Sequence, residues 1–286
     1  EDAIRAAAES VRVPIDVRKN VNDMAELMAD SDIAVSAGGS TCWELAFMGI
    51  PNAIVILAEN QKGIARGLDE AGTAVNLGWH DGVSTSEIES TVGSLLRDNQ
   101  KRYRMADKAQ ALVDGWGTER VLSAMTDEPF LRPAQEQDCE LLWEWANDPV
   151  VRERSYDSEP IPLEEHEDWF SGKLRDPSSR IYIAEEAWGQ IGEVRFDIEG
   201  EAAVVSVIVD PEYRGEGYGT EIIRRGTEKF LRGNSNVFRV DAFIKKTNKP
   251  SVRAFEKAGY VYKEDLVKSG DASYRFTVAK SELDTA

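Results

Sequence analysis

The sequence predicts an α/β chain of two domains: a small parallel-sheet domain first, then an α+β domain on a largely antiparallel sheet. Three observations predict it. The length of 286 residues is about twice that of an ordinary domain. As far as residue 125, apolar strand signals alternate with helical signals over short loops, the pattern of a parallel sheet with helices on its faces. Beyond the polar break Thr126-Asp127-Glu128-Pro129, a strand and two helical signals lead into three consecutive strand signals before a helix returns. The break sets the expected domains at 1–126 and 127–286.

In the first domain, residues 3–10 read as the tail of a helix and 11–17 as a strand. Apolar spacing makes 21–28 helical. Residues 33–36 form a short buried strand ahead of Gly38-Gly39. A helix is expected over 41–48, a strand over 52–57, a helix over 61–71 and a strand over 73–77. Helices follow at 86–97, 101–112 and 118–125. The second domain opens with a strand at 130–133 and helices at 136–147 and 163–173. Residues 181–186, 190–198 and 202–209 read as consecutive antiparallel strands. A helix (219–231), a strand (237–244), a helix (250–258) and two closing strands (260–267 and 272–279) complete it.

Composition narrows the function. With 34 Lys and Arg against 52 Asp and Glu, the formal charge is −18, which argues against a nucleic-acid or anionic membrane surface. Small anionic ligands stay open, because helix N-termini and a few arginines create local positive potential. No apolar run reaches the roughly 18 residues of a membrane span. The chain starts at Glu1 without an initiator Met or a charged-then-apolar leader, so a piece of a longer, non-secreted protein is expected. Cys42 and Cys139 are the only cysteines, and His80 and His166 the only histidines. They make no disulfide framework and no metal-ligand spacing, and a reduced cytoplasmic setting fits.

The sharpest motif is Val209-Asp210-Pro211-Glu212-Tyr213-Arg214-Gly215-Glu216-Gly217-Tyr218-Gly219, joining an apolar strand to an amphipathic helix. A pyrophosphate needs several backbone N–H groups aimed at one spot. Glycines let the backbone approach and take positive φ, and the helix start adds its dipole. Arg214 can add a charge-assisted contact. A dinucleotide fingerprint would need a βαβ unit, which the preceding antiparallel signals deny. A second segment, Asn248-Lys249-Pro250-Ser251-Val252-Arg253-Ala254-Phe255-Glu256-Lys257-Ala258-Gly259-Tyr260, starts on a good N-cap residue and ends on a good C′ glycine.

Together the two segments resemble the acyl-CoA loop R-G-x-G-x-G and the stretch N-x-x-S/A-x-x-x-(Y)-E-K-x-G-F of the GNAT N-acetyltransferases. The resemblance covers about 155 residues. It implies acetyl-CoA as cofactor, with residues 206–209 pairing the pantetheine. It assigns cofactor contacts to Val207, Val209, Arg214, Gly215, Glu216, Gly217, Tyr218, Gly219, Thr220, Asn248, Ser251 and Phe255. One departure stands out. Where many members carry a tyrosine that protonates the leaving thiolate, this chain has Phe255. Either Tyr260, Tyr262 or Tyr274 takes that role, or the thiolate leaves unassisted, which a thiol of pKa near 8.5 tolerates. The transfer needs a neutral amine and a stabilised oxyanion. Glu193, in Gly192-Glu193-Val194-Arg195-Phe196, is the first candidate base, unless it merely pairs with Arg195.

The acceptor region is expected between the first two helices of this domain. Trp145 and Trp169 can wall a sugar or uracil, Arg152 can meet a phosphate, and Asn147, Ser155, His166 and Arg195 complete the candidate substrate set. The pattern N-D-P-x-V-R…S…P-I…E-E-H-x-x-W-F resembles the acetyltransferase of pseudaminic acid biosynthesis, which acetylates the 4-amino group of UDP-4-amino-4,6-dideoxy-N-acetyl-β-L-altrosamine. It resembles less closely the enzymes that acetylate N-termini of ribosomal proteins.

In the first domain, Ser36-Ala37-Gly38-Gly39-Ser40-Thr41-Cys42-Trp43-Glu44-Leu45 places a Gly-Gly turn and two hydroxyls at a helix start. It resembles the C-terminal half of GT-B nucleotide-sugar proteins, most closely the UDP-sugar hydrolase of the same pathway. The resemblance implies UDP contacts from Gly38, Gly39, Ser40, Thr41, Glu44, Asn60 and Gln61. It covers only the second lobe. The lobe with the catalytic histidine is not matched, so no hydrolase activity is expected of this chain.

The fold expected from both resemblances is a Rossmann-like parallel-sheet half-domain of GT-B C-lobe type followed by an α+β GNAT acyl-CoA N-acyltransferase domain. The expected reaction moves acetyl from acetyl-CoA to the 4-amino group of a UDP-linked amino-dideoxy sugar. Two other readings stay open: a protein or peptide N-terminal acetyltransferase, and a non-catalytic nucleotide-sugar binding module. Self-association is left open as well.

Overall fold

The structure, a computed structural model, describes residues 13–283 and, ahead of them, residues 6, 8 and 11. It divides into two compact units between Gly115 and Trp116.

In the first unit, three parallel strands, β1 (Ala34–Ala37), β2 (Asn52–Ile56) and β3 (Ala74–Trp79), lie in sequence order. The register aligns Ala34 with Asn52 and Asn52 with Ala74. The helices are α1 (Met24–Ala29), α2 (Thr41–Phe47), α3 (Lys62–Glu70), α4 (Thr85–Arg97) and α5 (Asn99–Leu112). Cys42, Ile54, Ile56, Ala65, Leu68 and Ala74 bury together between α2, α3 and the sheet. Ser84 and Glu87 close a reciprocal capping box at the start of α4. Most of the helix expected over 3–10 lies outside the described residues. The strand expected over 11–17 does not form among its described residues. Val13 and Ile15 stay exposed, at 68% and 53%, and Pro14 removes a ladder donor between them.

The second unit carries a seven-stranded sheet in the order β4-β5-β6-β7-β8-β10-β9. The strands are β4 (Phe130–Pro133), β5 (Ser179–Glu186), β6 (Gly189–Glu199), β7 (Ala202–Val209), β8 (Arg239–Lys245), β9 (Val261–Lys268) and β10 (Asp271–Ala279). The helices are α6 (Gly117–Thr126), α7 (Cys139–Asn147), α8 (Pro149–Arg154), α9 (Leu163–Arg175), α10 (Tyr218–Gly233), α11 (Lys249–Lys257) and the short α12 (Lys280–Leu283). The domain break falls one helix earlier than the sequence suggested. Asp127 is the left-handed cap that ends α6, at φ 53°, and not a linker, while Arg120 of α6 reaches Glu185 of β5 at 3.2 Å. Helix α8 was not foreseen. Asp148 caps it and Pro149 opens it.

The sheet buries both faces. On one, α10 and α11 cover Val194, Phe196, Val240, Ala242 and Phe276, and Phe196 stacks on Phe230 at 4.3 Å. On the other, Leu142, Trp145 and Phe170 of α7 and α9 cover Ile181 and Ile183.

Candidate functional site

Strands β6 and β7 stay paired along their length, from Glu199 and Ala202 to Gly192 and Val209. The parallel pair β7–β8 instead lasts only from Ala202 and Arg239 to Val204 and Asp241. Beyond that point β8 follows β10, and the sheet opens. The free edge of β7 from Val205 to Val209 then borders a cavity of ≈ 1140 Å³, with Phe243, Ile244 and Lys245 on the opposite bank. Unpaired strand-edge amides and carbonyls inside a cavity call for a ligand with amide groups of its own.

At the cavity mouth the chain turns from β7 into α10. Asp210 Oδ1 accepts from the Glu212 amide at 2.8 Å and holds the first turn. Gly215 and Gly217 take φ of 91° and 100°, and Gly217 caps the helix. No atom lies within 4 Å of where either would carry a Cβ, so this concave bend is open. Arg214 is held from two sides, with Nε donating to the Val209 carbonyl at 3.0 Å and Nη1 paired with Asp148 at 2.8 Å. Its Nη2 is buried without a partner. Gly219, Thr220, Asn248, Ser251 and Phe255 also line the cavity, as do Val207 and Val209. Asn248 Oδ1 caps α11 through the Ser251 amide at 3.3 Å. Two of the expected cofactor residues point elsewhere. Glu216 does not line the cavity, and Tyr218 bonds Glu186, which pushes its phenol up to about 12.

On the acceptor side, Glu193 is 4% exposed, lines the cavity, and leaves Oε2 with no hydrogen-bond partner. Burial holds its carboxyl above the usual carboxylate range, against the pull of Arg195. Arg195 itself does not pair with Glu193, since its Nε donates to Asp197 at 3.0 Å and its guanidinium lies 5.0 Å over Trp169. His166 is 3% exposed, tilted against Trp169 at 5.3 Å and stacked on Phe170 at 6.0 Å. The ring bonds the Cys139 carbonyl, and Nε2 is left buried and unpartnered. Nδ1 therefore carries the proton, and burial, which lowers the pKa, keeps the ring neutral. Both residues face the cavity with a bare acceptor.

Several expected acceptor and acid residues take structural roles. Trp145 is 4% exposed and donates its indole N–H to Asp210 at 2.8 Å. Asn147 clamps both polar groups of Ile161, accepting from its amide at 2.8 Å and donating to its carbonyl at 3.1 Å. Arg152 lines the cavity, but its donors go to the Ala146 and Glu159 carbonyls and to Ser155. It folds the loop, with each of its three nitrogens already engaged. Tyr260 is buried with its hydroxyl on Thr227 at 2.7 Å. Tyr262 sits half exposed on the edge strand β9, bonded to Asp265. Neither they nor Tyr274 line the cavity. The tyrosines that do are Tyr156 and Tyr213. Tyr156 lies in a stretch from which only Ser155 had been chosen. Its signal, a lone aromatic in a polar loop, was legible but unspecific.

In the first unit, β1 ends at Ala37 and the Gly38-Gly39 turn leads into α2. A Cβ on Gly38 would sit 3.0 Å from Gln61 Cβ, so this glycine serves close packing. Gln61 Oε1 accepts from the Leu57 amide at 2.9 Å, which commits it to its own loop. Gly39 has open space around it, Ser40 makes no side-chain cap, and Ser40, Glu44 and Asn60 are exposed beside the half-buried Thr41. The side chains of these four remain free for a ligand, whereas the Gly39 amide already donates to the Ala37 carbonyl at 2.8 Å.

A meander that parts from a parallel neighbour, beside an open glycine bend at a helix start, defines the acyl-CoA N-acyltransferase class of fold. Residues 130–261 match the Acetyltransferase (GNAT) domain, and residues 4–116 match the Glycosyltransferase family 28 C-terminal domain. YwnH of Bacillus subtilis, which carries a phosphinothricin acetyltransferase name, is 30% identical over 138 residues, 46% of this chain and 82% of its own. The chain belongs to the GNAT acetyltransferases. An uncharacterized protein of Methanocaldococcus jannaschii is 23% identical over 262 residues, 86% of this chain, and the chain spans 50% of that relative's length. The fold agrees with that of spermidine N-acetyltransferase from Vibrio cholerae, solved in complex with CoA and spermine. The TM-score is 0.50 at 20% identity, over 55% of this chain and 98% of that one.

Proposed function

We propose that this chain transfers acetyl from acetyl-CoA to the primary amine of a UDP-linked amino-dideoxy sugar of the pseudaminic acid type, in the cytoplasm. The observation that carries it is the pair of buried, unpartnered acceptors, Glu193 Oε2 and His166 Nε2, in one cavity. Two bare acceptors in one cavity call for a group rich in N–H and O–H.

The cofactor fits the residues present. Seven basic side chains line the cavity (Arg152, Arg154, Arg195, Arg214, Lys245, Arg253 and Lys257) against Asp157, Glu165 and Glu193, in a chain of charge −18. The open amides of Gly215 and Gly217 and the orphan Arg214 Nη2 suit a pyrophosphate. When bound, acetyl-CoA supplies an activated acetyl thioester. The free edge of β7 would hold the amide groups of its arm and would offer N–H donors to the thioester carbonyl. Glu193, as carboxylate, takes a proton from the acceptor ammonium and leaves the amine nucleophilic. His166 Nε2 accepts a hydrogen bond from a neighbouring hydroxyl or amide of the acceptor and fixes its approach. Phe255 gives no proton, and neither Tyr260 nor Tyr262 replaces it at the cavity.

The nucleotide-sugar reading is supported by the first unit's family match and by the free side chains of Ser40, Thr41, Glu44 and Asn60. A thiol-release assay with UDP-4-amino-4,6-dideoxy sugars and with N-terminal peptides as alternative acceptors tests the proposal. Sugar-dependent release is expected. Peptide-dependent release, or silence in protein that binds coenzyme A, would refute it.

A further inference from the structure

The roof of the acceptor cavity is a strap, residues 148–161, that reaches it through Val150, Val151, Ser155, Tyr156 and Ile161. The Asn147 clamp on Ile161 closes its base. Its tip crosses to the far bank, where Tyr156 donates to Ser273 Oγ at 2.9 Å. Lys245 and Lys268 lie 5.8 and 5.5 Å over the Tyr156 ring. The strap is thus a closed loop with a fixed base and a latched tip.

Its first turn is tied to the cofactor bend. Asp148 Oδ1 accepts from the Val150 and Val151 amides, both at 3.1 Å, and caps α8. The same oxygen holds Arg214 Nη1 at 2.8 Å. Arg214 has a second hold on the Val209 carbonyl and one buried donor, Nη2, left over in the cavity. One guanidinium therefore ties the strand to the strap's cap and keeps one donor, Nη2, unpartnered, on a residue that lines the cavity together with Gly215 and Gly217.

We propose that Asp148 is a positioning residue that couples cofactor binding to closure of the acceptor strap. An anion on Arg214 Nη2 fixes the guanidinium, the fixed guanidinium holds Asp148, and Asp148 holds the first turn of α8. The strap's first turn is then held most firmly when the cofactor's phosphates are in place. Reciprocity requires that an acceptor held under the strap tighten the cofactor by the same factor. The inference rests on the reading of this cavity as an acetyl-CoA site.

Hydrogen exchange on residues 149–161, with and without saturating coenzyme A, tests it in the full chain, with calorimetry to prove binding. Asp148→Asn keeps a capping oxygen but removes the ion pair. In the wild type, coenzyme A is expected to slow strap exchange about 5- to 150-fold, the range of ordinary coupling energies. In Asp148→Asn the ratio is expected to fall towards one while coenzyme A still binds. Tyr156→Phe frees the tip and is expected to raise exchange in both states and preserve the ratio. Equal slowing in wild type and Asp148→Asn, or no slowing in wild type that binds coenzyme A, would overturn the coupling. Wild-type protein that binds no coenzyme A would overturn both the coupling and the cofactor reading, and calorimetry tells these cases apart.

Discussion

Glu193 stands directly across from Ile208 in the β6–β7 pair, with Oε2 buried and without a partner. Burial disfavours the charged form of a carboxyl in that position, so its folded pKa lies above the ordinary 4.5. Its contribution to stability is fully present below 4.5 and is lost as pH rises through the folded value. Glu193→Gln is therefore expected to melt higher than wild type at pH 8 and alike at pH 4. The same change removes the base, and kcat/KM is expected to fall by about 10²–10⁴-fold. Wild-type kcat/KM is expected to rise with pH through the raised pKa. A Gln variant that melts lower at pH 8, or keeps full activity, would contradict this.

His166 gives the opposite pH sign. Burial lowers its folded pKa below the ordinary 6.5, so the unfolded chain takes a proton that the folded one refuses. Stability is expected to fall as pH drops below 6.5 towards the folded value. His166→Phe keeps the stacking with Phe170 and removes the bare acceptor. It is expected to flatten that acid limb, to raise KM for the amine, and to leave acetyl-CoA affinity in calorimetry unchanged.

Tyr260 tests a residue that the family resemblance offered as one candidate acid and the structure puts in the core. Its hydroxyl meets Thr227 at 2.7 Å, and Thr227 is 1% exposed. Burial holds the phenol far above its ordinary value. Tyr260→Phe leaves the threonine hydroxyl unpaired, at a cost of about 1–3 kcal/mol in denaturant unfolding. Turnover in the folded variant is expected to match wild type across pH 7–10.

What the sequence disclosed follows from local chemistry. The 202–209 strand and the 130–133 strand were read to the residue, because their apolar runs end at polar turns. The glycine bend after Val209 was legible since φ near 100° at Gly217 strongly favours that residue. The resemblance put the pantetheine on 206–209, but where β7 parts from β8 was not legible, because it is a pairing that stops and no residue type marks where. The reassigned residues have one cause in common. Trp145, Asn147, Arg152 and Tyr260 carry groups suited to ligands, yet nearer partners took them: Asp210, Ile161, two carbonyls and Thr227. The 11–17 alternation failed for the converse reason. It has the period of a strand but no described neighbour to pair with.

Gly192 joins the fold to the chemistry. It sits beside Glu193 on β6, and a Cβ there would lie 2.4 Å from the Ile208 carbonyl oxygen and 3.1 Å from Ile222 Cδ1. The leucine-sized end of Ile222 can shift, but the carbonyl belongs to the ladder and cannot. Gly192→Ala must therefore push β7 away from β6 next to the base. Overpacking of this kind costs about 1–3 kcal/mol, more than the few tenths to one that alanine gains over glycine in a less flexible unfolded chain. A displacement near 1 Å at Glu193 is worth about 10²-fold in rate. Thermal melting is expected to drop, and kcat in the remaining folded protein to fall by that factor. Alanine at Gly215, whose bend is open, should instead spare Glu193 and weaken acetyl-CoA binding. A Gly192→Ala variant with wild-type melting and wild-type kcat would show that the β6–β7 contact beside the base is looser than the structure has it.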